Sequence, residues 1–265
     1  MGSINDSTYF KIFKMAISVN EVYTTVLSVL NKEQRGYLTP YEFNQIATQV
    51  QLEIFENYFE SLTQQLRVPQ NSSEYVDRIK TLEEKIAFFE ANDVVSVTLN
   101  GIFGQTTIPA DTHRFGMLEY VNGSNLPVEV EKLSRKDFLT ARRSPLAAPS
   151  ADYPICYLEG NKLNILPGIA TAVSVPAAGN PAQIYQVEYV RKPINPVWNY
   201  TVGSVGQYIF DPIANGVSKD FEISNIDQAE LILKILAYAG VVVRDQEIIQ
   251  AAAGAALQID QSQQS

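Results

Sequence analysis

Chemistry has few side chains to work with in this protein. His113 is the only histidine and Cys156 the only cysteine among 265 residues. A zinc cluster, a CxxC redox pair, a histidine-rich metal site and an internal disulfide each need more than one such residue, so the composition excludes them. A Ser-His-Asp arrangement survives the count, yet no GxSxG turn places a serine. Asp111 and His113 in PADTHRF are the one acid-imidazole pair close in sequence, and the expected role is a hydrogen-bonded loop. Cys156 falls in an apolar strand pattern, which predicts a buried, inert thiol. No reaction is assigned, and no cofactor.

A metal motif is nearly spelled out once. Asn31, Glu33, Arg35, Gly36, Leu38 and Glu42 occupy positions 1, 3, 5, 6, 8 and 12 of a twelve-residue calcium loop. A calcium loop gathers oxygens at positions 1, 3 and 5, and the fifth here is Arg35, a fixed cation where the ion would sit. The expectation is therefore a tight glycine turn between two helices, with no metal bound.

Binding chemistry is better represented. Arg142 and Arg143 before Pro145, and Arg191 and Lys192 before Pro193, are paired cations suited to touching DNA or an acidic neighbour. Trp198, the only tryptophan, follows a proline-marked break, where it either anchors an interface or caps a β core. Near the start, Tyr9, Phe10 and Phe13 are aromatics able to clip onto a neighbouring subunit. Twenty Lys and Arg against 29 Asp and Glu leave a formal charge of −9, which opposes sequence-independent nucleic-acid binding. An acidic wall would instead let DNA slide past. No basic start followed by an apolar run opens the chain, and no window reaches a membrane span, so neither a leader nor a membrane partner is expected.

These residues need positioning, and the pattern of the chain says by what. Thr39, Pro40 and Glu42 form a helix start: a Thr cap, a Pro where no amide is needed, and a Glu three residues on. Phe43, Ile46, Val50, Ile54, Tyr58 and Leu62 then recur at helical spacing. Ser18 or Asn20 caps an earlier helix through Leu30, and Ser73 starts a third to about Ala91, which together predict an antiparallel bundle. From Asp93 the period shortens to two: VVSVTLNG, GQTTIP, MLEYVN, VEVEKL, ICYLEGNKLNILPG, TAVSVP and QIYQVEYVRKP read as antiparallel strands between turn signals, with a short helix over Ser134 to Ala141. Helices return at Ser224, where Ser224 and Asp227 suit a capping box; Glu230 and Lys234 pair on a wet stripe, and Gly240 ends the helix. Asp245 caps a last helix to about Gln258, thinly striped by Ile248, Ile249 and Leu257.

The segments NKEQRGYLTPYEFNQIATQVQLEIFENYF, YPICYLEGNKLNILPG, VEYVRKPINPVWNY and FEISNIDQAELILKILAYAGVVVRDQEI resemble the head-to-tail adaptor, or ring, proteins of podovirus-like tailed phages, especially the crAss-like group. MAISVNEVY from Met15 is similar to how members of that family commonly begin, which makes residues 1–14 an extension. The resemblance implies a structural subunit of a ring, usually twelvefold, that docks under the portal and continues the DNA channel into the tail. It also implies partners: further copies of the chain, the portal protein, other tail ring or nozzle proteins, and genomic DNA passing without sequence-specific contact. The place implied is the portal vertex or tail of the virion, after assembly in the bacterial host cytoplasm. C-terminal extensions reach the portal in related adaptors, so residues 245–265 are expected to dock rather than to build the subunit core.

The expected fold is thus α+β: an N-terminal antiparallel helical bundle (15–92), an inserted antiparallel β domain with one short helix (93–218), and C-terminal helices returning to the bundle with a polar tail (219–265). The alternatives from other classes are a tail-associated hydrolase, which requires a cleft with paired carboxylates or a His-centred site, and a calcium-binding module.

Overall fold

The computed structural model describes residues 16–32, 38–67, 73–121, 127–146, 148–168, 184–213 and 216–243, together with 254 and 258. It is a mixed α+β protein. Two compact units divide it, one gathering Met1–Phe88 and Pro193–Ser265, the other Phe89–Lys192.

The first unit is organised on a long helix. Helix α1 runs Val19–Lys32, α2 Pro40–Arg67, α3 Ser73–Ala87 and, after a short 3-10 turn at Asn225–Asp227, α5 Gln228–Val243. Helix α2 packs against both α3 and α5, and α1 against α5. Its start is the expected capping box: the Thr39 N–H donates to Glu42 Oε2 at 3.0 Å and the Glu42 N–H to Thr39 Oγ1 at 3.3 Å. That exchange satisfies two amides left over at the helix end. Phe43, Val50, Ile54 and Tyr58 are buried on one face.

Between the two units' boundary and α5 the chain has little regular structure, so side chains of α2 must satisfy its backbone. Gln51, buried, donates to the Ile194 carbonyl at 2.7 Å and accepts from the Glu222 N–H at 3.0 Å. Asn44 accepts from the Trp198 N–H at 2.8 Å and donates to its carbonyl. Strands β10 (Tyr200–Val202) and β11 (Tyr208–Phe210) form a hairpin in this segment.

The second unit is β-rich. Strands β1 (Glu90–Val95), β9 (Ile184–Arg191), β4 (Thr112–Val121) and β5 (Pro127–Glu129) make one sheet, in that spatial order and all antiparallel. Strands β2 (Thr98–Asn100), β3 (Phe103–Thr107), β8 (Lys162–Leu166), β7 (Ile155–Glu159) and β6 (Glu131–Lys132) make the other, antiparallel except for the β6–β7 pair. Buried Val97 joins β1 to β2, and buried Val130 joins β5 to β6. The edge strands of one sheet therefore continue into the edge strands of the other, and the chain itself turns both corners. The inward residues of both sheets, among them Leu118, Tyr120, Leu163, Ile165 and Val187, form one core. Helix α4 (Arg135–Arg143) lies on the outer face of the second sheet, where Phe138 packs with Ile155 and Leu166. The β7–β8 hairpin turns at Gly160, whose φ of 61° favours a residue without a Cβ.

Several expectations need correction. Helix α3 ends at Ala87, because Glu90 already pairs with Val190 in a sheet. Val29 on α1 and Val76 on α3, apolar by type, are exposed. Helix α5 passes through Gly240 to Val243. The calcium loop's Glu33–Tyr37 and the TAVSVP strand lie outside the described residues.

Candidate interaction surfaces

The metal reading can be tested at its one described carboxylate. Glu42 Oε2 accepts from both the Thr39 N–H and, at 2.6 Å, the Thr39 hydroxyl. The bond from the Thr39 side chain, followed by that from its backbone, holds the Glu42 carboxyl below the usual glutamate range. Its support for the helix is therefore present above that range and is lost as the pH falls through the lowered value. Millimolar calcium is expected to leave the melting temperature unchanged; a clear rise would show an ion bound to the folded state. Among the described residues no three His, Cys, Asp or Glu side chains converge as a metal site.

Asp111 and Asp93 share one donor, the Tyr189 hydroxyl, at 3.3 and 2.8 Å. Burial and then these carboxylates raise the Tyr189 pKa, which locks the phenol as a donor. Asp111 thus acts as a structural acceptor, and His113 sits on strand β4. Cys156 is buried in the core of the second unit, and burial pushes its thiol up to about 12, so it is inert at neutral pH. Beside it Tyr185 stacks at a tilt on Tyr120, 4.9 Å between centroids, and its buried hydroxyl finds no hydrogen-bond partner among the described residues. Tyr185→Phe removes that unpaired donor. We expect it to be neutral or to stabilise by up to about 1 kcal/mol; a loss of that size in a denaturant titration would contradict the absence of a partner.

The paired cations part company. Arg142 and Arg143 are exposed at the C-terminal turn of α4, where the helix dipole favours positive charge. Arg142 also lies 5.0 Å over the Phe103 ring. Arg191 is half-buried, 5.6 Å over the Phe89 ring, with its N–H donating to the Phe89 carbonyl. Lys192 donates its N–H to the Asp111 carbonyl and keeps an exposed side chain. Of the two pairs, only that on α4 has both side chains exposed.

Trp198 is not an exposed anchor. It is 3% exposed, 4.2 Å from Tyr23 between ring centroids, and its Nε1 donates to Asn20 Oδ1 at 3.0 Å. The proline break before it allows the chain to carry an aromatic inward against α1 and α2. Tyr9, Phe10, Phe13, Asp245, Ile248, Ile249 and Leu257 lie outside the described residues.

Two features escaped the reading of the sequence. One is the β10–β11 hairpin, which holds Val205 at its tip 89% exposed with Val202 and Ile209 also exposed. Its signal was a run without charge, Pro193 to Phe210, in an otherwise charged chain. The other is a buried polar cluster. Asp227, 6% exposed, accepts from Tyr58 Oη at 2.6 Å and pairs with Lys85 Nζ at 2.8 Å, while Lys85 lies 5.0 Å over the Tyr58 ring. Asp227 therefore does not reach back to cap its helix; Ser224 alone does, its hydroxyl accepting from the Ile226 N–H. Lys234 likewise leaves the wet stripe: it is buried and bonds Glu53 at 2.8 Å and Glu230 at 3.3 Å. Burial works to lower its pKa, and the two carboxylates overcome that and raise it, so its contribution is present at neutral pH and is lost only as the pH rises through the raised value.

Comparison with protein-family models finds no match to this sequence, and comparison with characterised proteins finds no significant relative. No described helix is long and apolar enough to cross a membrane.

Proposed function

We propose that the protein is a structural subunit of a phage head-to-tail connector ring, which docks the portal to the tail and lines the DNA channel. The observation that carries this reading is where the four resembling segments fall. They coincide with α2, with the β7–β8 hairpin, with β9 and the segment that follows it, and with the 3-10 turn and α5. Those elements build the cores of both units, so the likeness covers the framework and not a peripheral loop. In this reading the helices of the first unit are a bundle that receives the C-terminal helices, and the β unit is inserted between them. Self-association and adaptation to the portal replace any reaction, with the portal protein and neighbouring tail ring or nozzle proteins as partners.

Electron microscopy of a virion carrying this chain tests the proposal. Density for a closed ring of copies beneath the portal is the expected result. Finding the chain elsewhere in the particle, or as a single copy, would exclude it; a ring lower in the tail would keep the structural role and change the partners.

A further inference from the structure

The β unit is polar in charge from one flat side to the other. On one side is α4. Arg135, Lys136, Arg142 and Arg143 are exposed there, and Asp137 is the one acid on the helix. Positions 135, 139 and 142, with 136 and 143, follow helical spacing, so the cations form a stripe with Leu139, 38% exposed, at its centre. Phe138, about 100° round the helix from Leu139, turns into the sheet, and Arg142 flanks that side over the Phe103 ring. Asp137 accepts from the Ser134 hydroxyl at 2.7 Å, and Arg135 pairs with exposed Glu159 at 3.6 Å, which leaves the stripe positive. The segment from α4 into β7 adds Leu146 and Tyr153, 99% and 79% exposed.

On the other side is the outer face of the sheet β1-β9-β4-β5. Alternation sends Val95, Val187, Leu118 and Val130 into the core, so Glu90, Glu188, Glu119 and Glu129 fall on the outer face. Arg114, whose register partner is Val190, falls on the same face. Glu119 stands directly opposite Glu129, a like-charge pair that costs stability in an isolated chain.

We infer that these two faces are the two halves of one head-to-tail interface: the α4 stripe of one copy docks on the glutamate face of the next. The choice of a second copy as occupant rests on charge complementarity. Lys136, Arg142 and Arg143, around an apolar residue, meet a face of four glutamates carried by the same chain, and the close Glu119–Glu129 pair is relieved when a guanidinium approaches. Arginine, tyrosine and leucine together suit a protein surface, and a chain of charge −9 repels a polyanion at long range. Because the faces lie on opposite sides of one unit, the contact is heterologous, and repeating it gives a ring if the rotation closes and a filament if it does not. The inference rests on the proposed ring for its biological setting but not for its faces.

Charge reversal in the full chain tests it, read by sedimentation and electron microscopy, with circular dichroism as the check that each variant is folded. The wild type is expected to associate in a concentration-dependent way that salt weakens, since the Debye length shrinks to about 3 Å at 1 M salt. Arg142→Glu/Arg143→Glu and Glu129→Lys/Glu188→Lys are each expected to weaken association at least about tenfold, and an equimolar mixture of the two to restore it. A chain carrying all four changes is expected to associate with itself again. Unchanged association in either variant, or no restoration by mixing, would overturn the inference. So would duplex DNA binding that the arginine changes abolish while association persists, which would make the stripe a nucleic-acid contact. Closed rings that ignore the charge reversals would sink the pairing of faces and leave the connector reading standing. Open filaments that obey them would do the opposite, and a wild type that stays monomeric would sink both.

Discussion

Asp227→Ala is expected to cost about 3 kcal/mol of stability. The carboxylate holds together three elements of the first unit: Tyr58 on α2, Lys85 on α3 and its own turn before α5. Removing one member of a buried ion pair leaves the other charge without compensation, at roughly 3–5 kcal/mol, and the lower end applies because the Lys85 side chain retains 14% exposure and a partial route to water. The Tyr58 hydroxyl loses its acceptor at the same time. For a chain of this size the shift corresponds to a drop of about 10 °C in melting temperature. Asp227→Ala combined with Lys85→Met removes the stranded charge and is expected to recover more than half of the loss. A single variant that melts within about 2 °C of the parent, or a double variant no better than the single, would mean that the cluster holds nothing together.

Trp198→Ala is expected to destabilise the isolated chain by about 3–5 kcal/mol, as for other buried large-to-small aromatic changes. The indole sits among Tyr23, Tyr200 and Phe210 and closes the return segment onto α1 and α2. Trp198→Phe keeps most of that apolar contact but forfeits the bond to Asn20, worth about 1 kcal/mol. The measurement separates two roles for the residue. An interface anchor would leave the melting temperature of the free subunit unchanged and weaken only assembly, so a stable but non-assembling Trp198→Ala protein would contradict its burial within its own chain.

The features legible in the sequence are local. Thr39, Pro40 and Glu42 specify the start of α2 because the cap, the fixed φ and the returning carboxylate all act within four residues. Ser134 specifies the start of α4 and Gly160 the turn of a hairpin for the same reason of range. The change of hydrophobic period near residue 90 separates helix from strand without any tertiary information. The mixed α+β class follows from these.

The rest is set by packing between segments distant in sequence. Asp227 looked like a capping acid because its neighbours in sequence allow that role, yet its partners are 142 and 169 residues away and no periodicity marks them. Lys234 and Glu230 looked solvated because four-residue spacing says that they meet, not which side of the helix they occupy; Glu53, 181 residues from Lys234, decides that. The proline break before Trp198 specified a bend and not its direction, which the Asn44 and Asn20 side chains settle. The glutamate face of the β unit depends most on tertiary structure. Glu119, Glu129 and Glu188 are unremarkable charges until strand register places them on one surface, because alternation fixes which residues share a side of one strand, whereas pairing between distant strands fixes which sides coincide.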